Sequence, residues 1–263
     1  MRFRSIFTLA ISIVVGVTCA IAKSKPKAKP DVLVVADVLA DDSSSVTPTP
    51  AKPIYYVILG GMERDLGASI AGLPSVDLAM IRTQLVSALA GRSFIETKLG
   101  GPVPRLALVV SWGYANLDTI DVDETNTDDS GESTTSTTTY TMNAREKARL
   151  IGWDKAERHL MSSSEADELN SAYRDDRLYI VIAALDAAAL QKKQKKLLWR
   201  TRISIDALRE DLPSNLGMMI ADAAPYFARD IDRPVTINDD VRRANVKLGE
   251  LKFLDETPTP GKK

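Results

Sequence analysis

Leu178-Tyr-Ile-Val-Ile-Ala-Ala-Leu-Asp186, a lysine-rich turn, and then Leu197-Leu-Trp-Arg-Thr-Arg-Ile-Ser-Ile205 decide the fold. In the second arm Leu197, Trp199, Thr201, Ile203 and Ile205 fall on one side, and Leu198, Arg200, Arg202 and Ser204 on the other. A period of two with β-branched and aromatic residues predicts a strand with one buried face. The first arm is apolar on both sides, as an interior strand should be. Lys192, Lys193, Lys195 and Lys196 crowd the turn between them, where only solvent accommodates so many like charges. Residues 178–206 therefore predict a β-hairpin, and a sheet around it.

Upstream of the hairpin, Ile54-Tyr-Tyr-Val-Ile-Leu59 predicts a first strand, stopped by Gly60-Gly61. Ser75 is placed to cap a helix over residues 76–90, with Leu78, Ile81, Leu85 and Leu89 forming its apolar stripe and Gly91 just past its end. A short strand over 92–97 and a buried strand over 106–112 follow. Residues 118–141 are acidic and Ser/Thr-rich, which predicts a disordered segment or a hairpin tip. Residues 143–176 read as short helical pieces, the last opened by the capping pattern of Ser162 and Glu165. Downstream, Asp211 or Ser214 caps a helix carrying Leu216, Met219, Ile220, Ala223 and Phe227, which Pro225 kinks or ends. Val246, Leu248, Leu251 and Phe253 nearly alternate and predict a further strand, with Gly249 as a bulge.

Assembled, these elements predict an α+β domain over residues 54–255, with sequential strands pairing antiparallel. Its mainly antiparallel sheet has four to six strands, with two main helices packed on one face and a short helical insertion. Residues 23–53, rich in Lys, Pro and Ser, predict a disordered leader, although 31–39 are apolar enough for a short strand or a partner-docking segment. Residues 256–263 form a polar tail.

The first 22 residues bear on location. Arg2 and Arg4 precede an uncharged, mostly apolar run from Ile6 to Ala22, and Ala20-Ile-Ala22 supplies a small-x-small cleavage pattern. That is the pattern of a secretory signal peptide. The run falls short of the ~20 residues that cross a bilayer, which argues against a retained anchor. Cys19, the single cysteine, is preceded by Gly16-Val-Thr18 and not by a lipobox, so lipid anchoring is not expected. Cleavage after Ala22 leaves a chain without disulfides, dependent on its apolar core. The expected location is therefore the periplasm or the exterior, with no integral span in the mature chain.

A net charge of −1 gives no electrostatic footprint for nucleic acid. One histidine and no mature cysteine exclude the usual zinc sets. The spacing of Asp121, Asp123, Glu124, Asp128 and Asp129 fails as a calcium loop, and no phosphate-loop or dinucleotide fingerprint follows the first strand. No metal and no cofactor are expected. Gly67-Ala-Ser69-Ile-Ala71 half-matches a nucleophile elbow, but the second glycine is missing, and the one available base, His159, lies in a charged helical fragment. As binding residues the sequence offers Trp112 and Trp199, able to line a groove, and Arg200 and Arg202, read as lying on an open sheet face where they would hold an anion or carboxylates.

Two passages carry a family resemblance. A helix, then Leu89-Ala-Gly-Arg-Ser-Phe94, then the strand Leu106-Ala-Leu-Val-Val-Ser-Trp112 is similar to one half of certain uncharacterised bacterial envelope proteins, many of them lipoproteins. A strand ending in Asp186, a turn, and Leu197-Leu-Trp-Arg200, with a helix near a proline, resembles the other half. The resemblance implies an envelope location and an α+β fold, and it brings no catalytic residues. Together these readings predict an exported binding or scaffolding module without catalytic activity, whose partner is an unidentified envelope protein or polymer. The alternative is a secreted serine-type hydrolase using Ser69.

Overall fold

The computed structural model describes residues 29–242 apart from 42, 69–71, 73, 128–129, 131–132, 160 and 239–240. The predicted signal segment, the predicted strand over 246–253 and the polar tail lie outside the described residues, and so does Ser69.

Among the described residues nine strands and six α-helices follow one another as β1 (Val32–Val38), β2 (Ile54–Glu63), α1 (Leu78–Ala90), β3 (Phe94–Glu96), β4 (Leu106–Ala115), β5 (Thr119–Thr127), β6 (Ser133–Thr141), α2 (Ala144–Ile151), α3 (Trp153–Ala156), α4 (Ser163–Arg174), β7 (Arg177–Asp186), α5 (Ala187–Gln191), β8 (Leu197–Asp206), α6 (Leu212–Ala223) and β9 (Val235–Ile237). The quoted stretch is the β7–β8 hairpin, antiparallel from Arg177 opposite Asp206 to Leu185 opposite Leu197. It occupies the middle of a seven-stranded sheet ordered β3-β2-β4-β7-β8-β1-β9.

The architecture is α+β, and it corrects the expected sheet in three respects. First, the sheet is mixed: β2 runs parallel to both β3 and β4. A helix between β2 and β3 returns the chain to the end where β2 began, so the next strand must run the same way. Second, among the described residues the sheet has seven strands and not four to six, because β1 and the three-residue β9, too short to show a period, join the five expected strands. Third, the folded body begins at Val32 and not at residue 54. Strand β1 lies between β8 and β9, inside the stretch whose composition reads as leader. Its Val32, Val34, Val35 and Ala36 are fully buried, and a strand with six apolar residues and Asp37 is outvoted in any compositional window.

One face of the sheet carries α1 and α6. Helix α1 is capped by Asp77, whose carboxylate accepts from the Met80 N–H at 2.8 Å; Ser75 instead donates to Glu63. Ile81, Leu85 and Leu89 of α1 bury completely. Asp211 caps α6 by accepting from Ser214 N–H at 2.8 Å, and the helix stops at Ala223, two residues before Pro225. Between the helices and the sheet lie Phe94, Trp199 and Phe227, the last two stacked with ring centroids 6.1 Å apart.

The opposite face is not open. Helices α2 to α4 cover part of it, burying Leu33, Ile151, Leu169 and Ala172 together. Gly152, the junction of α2 and α3, has φ +80°, and a Cβ there would stand 2.8 Å from side-chain atoms of Val35 and Pro234. Only glycine allows the left-handed turn and the close approach at once. Ser162 and Glu165 form the full capping box of α4.

Candidate functional site

Arg200 and Arg202 project beneath α2 and α3, next to the end of β1. Register sets Asp37 of β1 opposite Arg200, and Val35 opposite Arg202. One carboxylate then collects three cations: Asp37 Oδ2 accepts from Arg202 Nη2 at 2.7 Å and Arg200 Nη2 at 3.0 Å, and its Oδ1 lies 3.1 Å from Lys155 Nζ. Lys155 also donates to the carbonyls of Ala36 and Ile231, each at 2.6 Å, and to Asp230 at 2.8 Å. Burial would raise the Asp37 pKa, but Arg202, Lys155 and Arg200 together hold it below the ordinary carboxylate value. Burial lowers the Arg202 pKa, partly offset by Asp37. The Arg202 side chain is 4 % exposed and its Nη1 donates to the Arg149 carbonyl. These arginines tie α2, α3 and β1 to β8.

Trp199 and Trp112 are on the other face. They are 0 % and 4 % exposed, inside the core beneath α1 and α6. Alternation along β8 sets Trp199 and Arg202 on opposite sides, so the four residues offered for binding do not share one surface. The tryptophans are core, and both arginines donate to Asp37, Arg200 through Nε and Nη2 and Arg202 through Nη2. His159 is exposed at the end of α3.

Two further features remain accessible. The first is a groove of about 950 Å³ at the end of the sheet where β1 and β7 begin, between α4 and the edge formed by β1 and β9. Leu33, Leu169 and Ala172 line its apolar part. Arg177 enters it from β7, donating from Nε to Ser204 Oγ at 2.9 Å and from Nη2 to the Ser204 carbonyl at 3.1 Å. Burial takes its pKa down to about 10 against the pull of Asp206 and Asp175. Nearby, the fully buried Lys147 donates to the Asp175 carbonyl at 2.8 Å, with its pKa lowered by burial. The Tyr114 hydroxyl donates to Asp176, and burial first, then that carboxylate, raises the phenol pKa.

The second is the β5–β6 hairpin. Its strands pair over nine positions, from Thr119 opposite Thr141 to Thr127 opposite Ser133, and among the described residues they pack extensively only on each other. The segment read as a disordered stretch or a hairpin tip is thus a long, self-paired arm. On one face Thr139 donates to Asp121 and Thr137 to Asp123, both at 2.7 Å. On the other, Ile120, Val122 and Tyr140 are 47 %, 41 % and 51 % exposed. Asn143 clamps the base: its Nδ2 donates to the Asn116 carbonyl at 2.6 Å, and its Oδ1 accepts from Asp118 N–H at 3.0 Å. The alternation of Ile120 with Val122, and Tyr140 across from them, was the available signal, diluted by twelve Ser and Thr residues from 119 to 141.

Among the described residues no group of three or more His, Cys, Asp and Glu is placed to hold a metal ion, and no helix is long and apolar enough to cross a membrane. No family model matches the chain, and no curated protein matches it. Solved structures that it resembles include the PelC dodecamer of Paraburkholderia phytofirmans, at 11 % identity over 76 % of this chain and 98 % of that one, with a TM-score of 0.28. A single-residue variant of the same dodecamer gives 12 % identity over 76 % and 99 %, also at 0.28. Likeness at that level carries no functional argument.

Proposed function

We propose that this is an exported cell-envelope protein, a binding or scaffolding module without catalytic activity, and that it holds its partner through the β5–β6 arm. The observation that carries the reading is the standing of that arm. An isolated two-stranded hairpin is marginally stable in water, yet this one leaves Ile120, Val122 and Tyr140 in solvent on a single face. A strip of exposed apolar side chains on a single face suits a partner that buries the strip. Its outer strands also offer unpaired backbone groups for strand addition.

The export half of the proposal rests on the N-terminal pattern of Arg2, Arg4 and Ala20-Ile-Ala22. Mass spectrometry of the protein from fractionated cells tests it: a terminus at Lys23 in the envelope or medium is expected, and an intact Met1 in cytosol overturns it. The binding half is tested by replacing residues 119–141 with a short Gly/Ser turn and comparing capture from envelope extract with that by the parent. Loss of a specific partner with unchanged thermal stability is expected. Equal capture by both proteins overturns the role of the arm.

A further inference from the structure

The turn between β7 and β8 brings Lys192, Lys193, Lys195 and Lys196 to one end of the sheet, and the register shows what else is there. Leu106, the first residue of β4, lies opposite Tyr56 near the start of β2 and opposite Asp186 at the end of β7. The β3–β4 loop and the β7–β8 turn therefore share this end. They are joined directly: Ala187 N–H donates to the Arg105 carbonyl at 3.1 Å, and Arg105 Nη1 lies 3.6 Å from Asp186 Oδ2.

A total charge near zero conceals how uneven the surface is. Lys98, Arg105, Lys192, Lys193, Lys195 and Lys196 are all exposed at this end. Asp186 answers Arg105, and Asp41 answers Lys196 at 2.8 Å. The side chains of Lys98, Lys192, Lys193 and Lys195 make no ion pair or hydrogen bond among the described residues. A patch of one sign draws an anionic surface toward it, with a strength that falls as salt rises.

Beside these cations the β3–β4 loop holds two apolar side chains in solvent. Gly101 N–H donates to the Lys98 carbonyl at 2.9 Å and Gly100 has φ +79°, which makes a β-turn with Leu99 at its corner. Leu99 is fully exposed and Val103 is 80 % exposed. Lys98 and Arg105 bracket them in sequence. Cations on long stems around protruding aliphatic groups match an anionic bilayer: the lysines reach headgroups while Leu99 and Val103 enter the acyl boundary. An acidic protein would call for cations held in a fixed register, and none of these four lysines is held. A fluid layer of headgroups makes no such demand.

We propose that this end of the protein docks on the surface of an anionic lipid bilayer, through Lys98, Lys192, Lys193 and Lys195, with Leu99 and Val103 as the apolar anchor. Strand β4 leaves this end and runs ten residues, roughly 30 Å, before the β5–β6 arm begins. Docking in this way holds the arm clear of the membrane. The proposal is independent of the role of the arm, and the chain with residues 119–141 replaced by a Gly/Ser turn should bind lipid as the parent does.

Co-sedimentation of the chain from Lys23 onward with lipid vesicles tests it. At ~0.15 M salt the parent should bind vesicles of equal parts phosphatidylcholine and phosphatidylglycerol, and not vesicles of phosphatidylcholine alone. The Lys192→Gln/Lys193→Gln/Lys195→Gln variant should bind roughly a hundredfold more weakly, at about fivefold per lysine. The Leu99→Ser/Val103→Ser variant should bind about tenfold more weakly, with the salt dependence of the parent. All five positions are exposed, so both variants should keep the parent's thermal midpoint. Binding by the parent that does not require phosphatidylglycerol overturns the proposal. So does full binding by the lysine variant, which would assign lipid binding to the basic leader over residues 23–29. Full binding by the loop variant overturns it too, leaving a soluble polyanion or an acidic protein as the partner of the lysines.

Discussion

Asp37 and Arg202 lie 165 residues apart in the chain and 2.7 Å apart in the fold. Strand β1 enters the sheet beside β8, and that contact joins the first described strand to the central hairpin while α3 closes over it through Lys155. The arrangement converts residues that look like surface ligands into internal ties. Breaking one partner of a buried ion pair strands the other charge, which costs far more than the pair itself contributes.

Asp37→Asn should accordingly destabilise the protein toward the lower end of ~3–5 kcal/mol, because Asp37 keeps a 14 % exposed side chain that water can screen. Chemical denaturation of parent and variant measures it. The sign of the pH effect follows from a folded pKa that is lowered from 3.8. The folded state prefers the ionised form more than the unfolded chain does, so the contribution is complete above 3.8 and is lost as pH falls through the folded pKa. A parent whose stability drops in acid below that value, beside an Asp37→Asn variant with a shallower drop, is the expected result.

Trp199→Ala should cost ~3–5 kcal/mol, as removal of a large core side chain does. The ring is 0 % exposed, stacked on Phe227 and tilted against Phe94. Thermal unfolding reads the loss. A change in partner capture at unchanged stability would instead return Trp199 to the binding surface from which its burial removes it.

Asn143→Ala removes both side-chain hydrogen bonds at the root of the arm. It should loosen the hairpin and leave the body folded: amides of β5 and β6 exchange faster, while global stability falls by about 1–2 kcal/mol. Asn143→Asp retains the acceptor toward Asp118 N–H and loses the donor, so its effect should be intermediate. Comparable exchange in all three proteins would mean that the arm is held by its own strands alone.

How much of this was legible depends on the range of the interaction concerned. The β7–β8 hairpin, the Ser162–Glu165 capping box, and the end of α6 before Pro225 are all written within a dozen residues or within one strand's alternation. Strand β1 was not legible as part of the sheet, because its partner Thr201 follows Ala36 by 165 residues and nothing local marks the pairing. The same distance hides Asp37 from Arg200 and Arg202. The face read as open is covered by α2 to α4, whose core contribution is a few residues such as Ile151, Leu169 and Ala172, too sparse to give a stripe. The groove and the apolar strip of the arm were missed for a different reason. One is made by segments far apart in sequence, and the other hides an alternating apolar strip under a threonine-rich composition.

Site-specific photo-cross-linking in cells producing the full chain tests the central claim most directly, with the photoreactive residue placed at Tyr140 on the apolar face of the arm and, as a control, at the exposed His159. The account predicts a discrete adduct in the envelope fraction from position 140 and none from position 159. An adduct from 159 with position 140 silent, or silence at both positions in a protein retained in the cytosol, would contradict it.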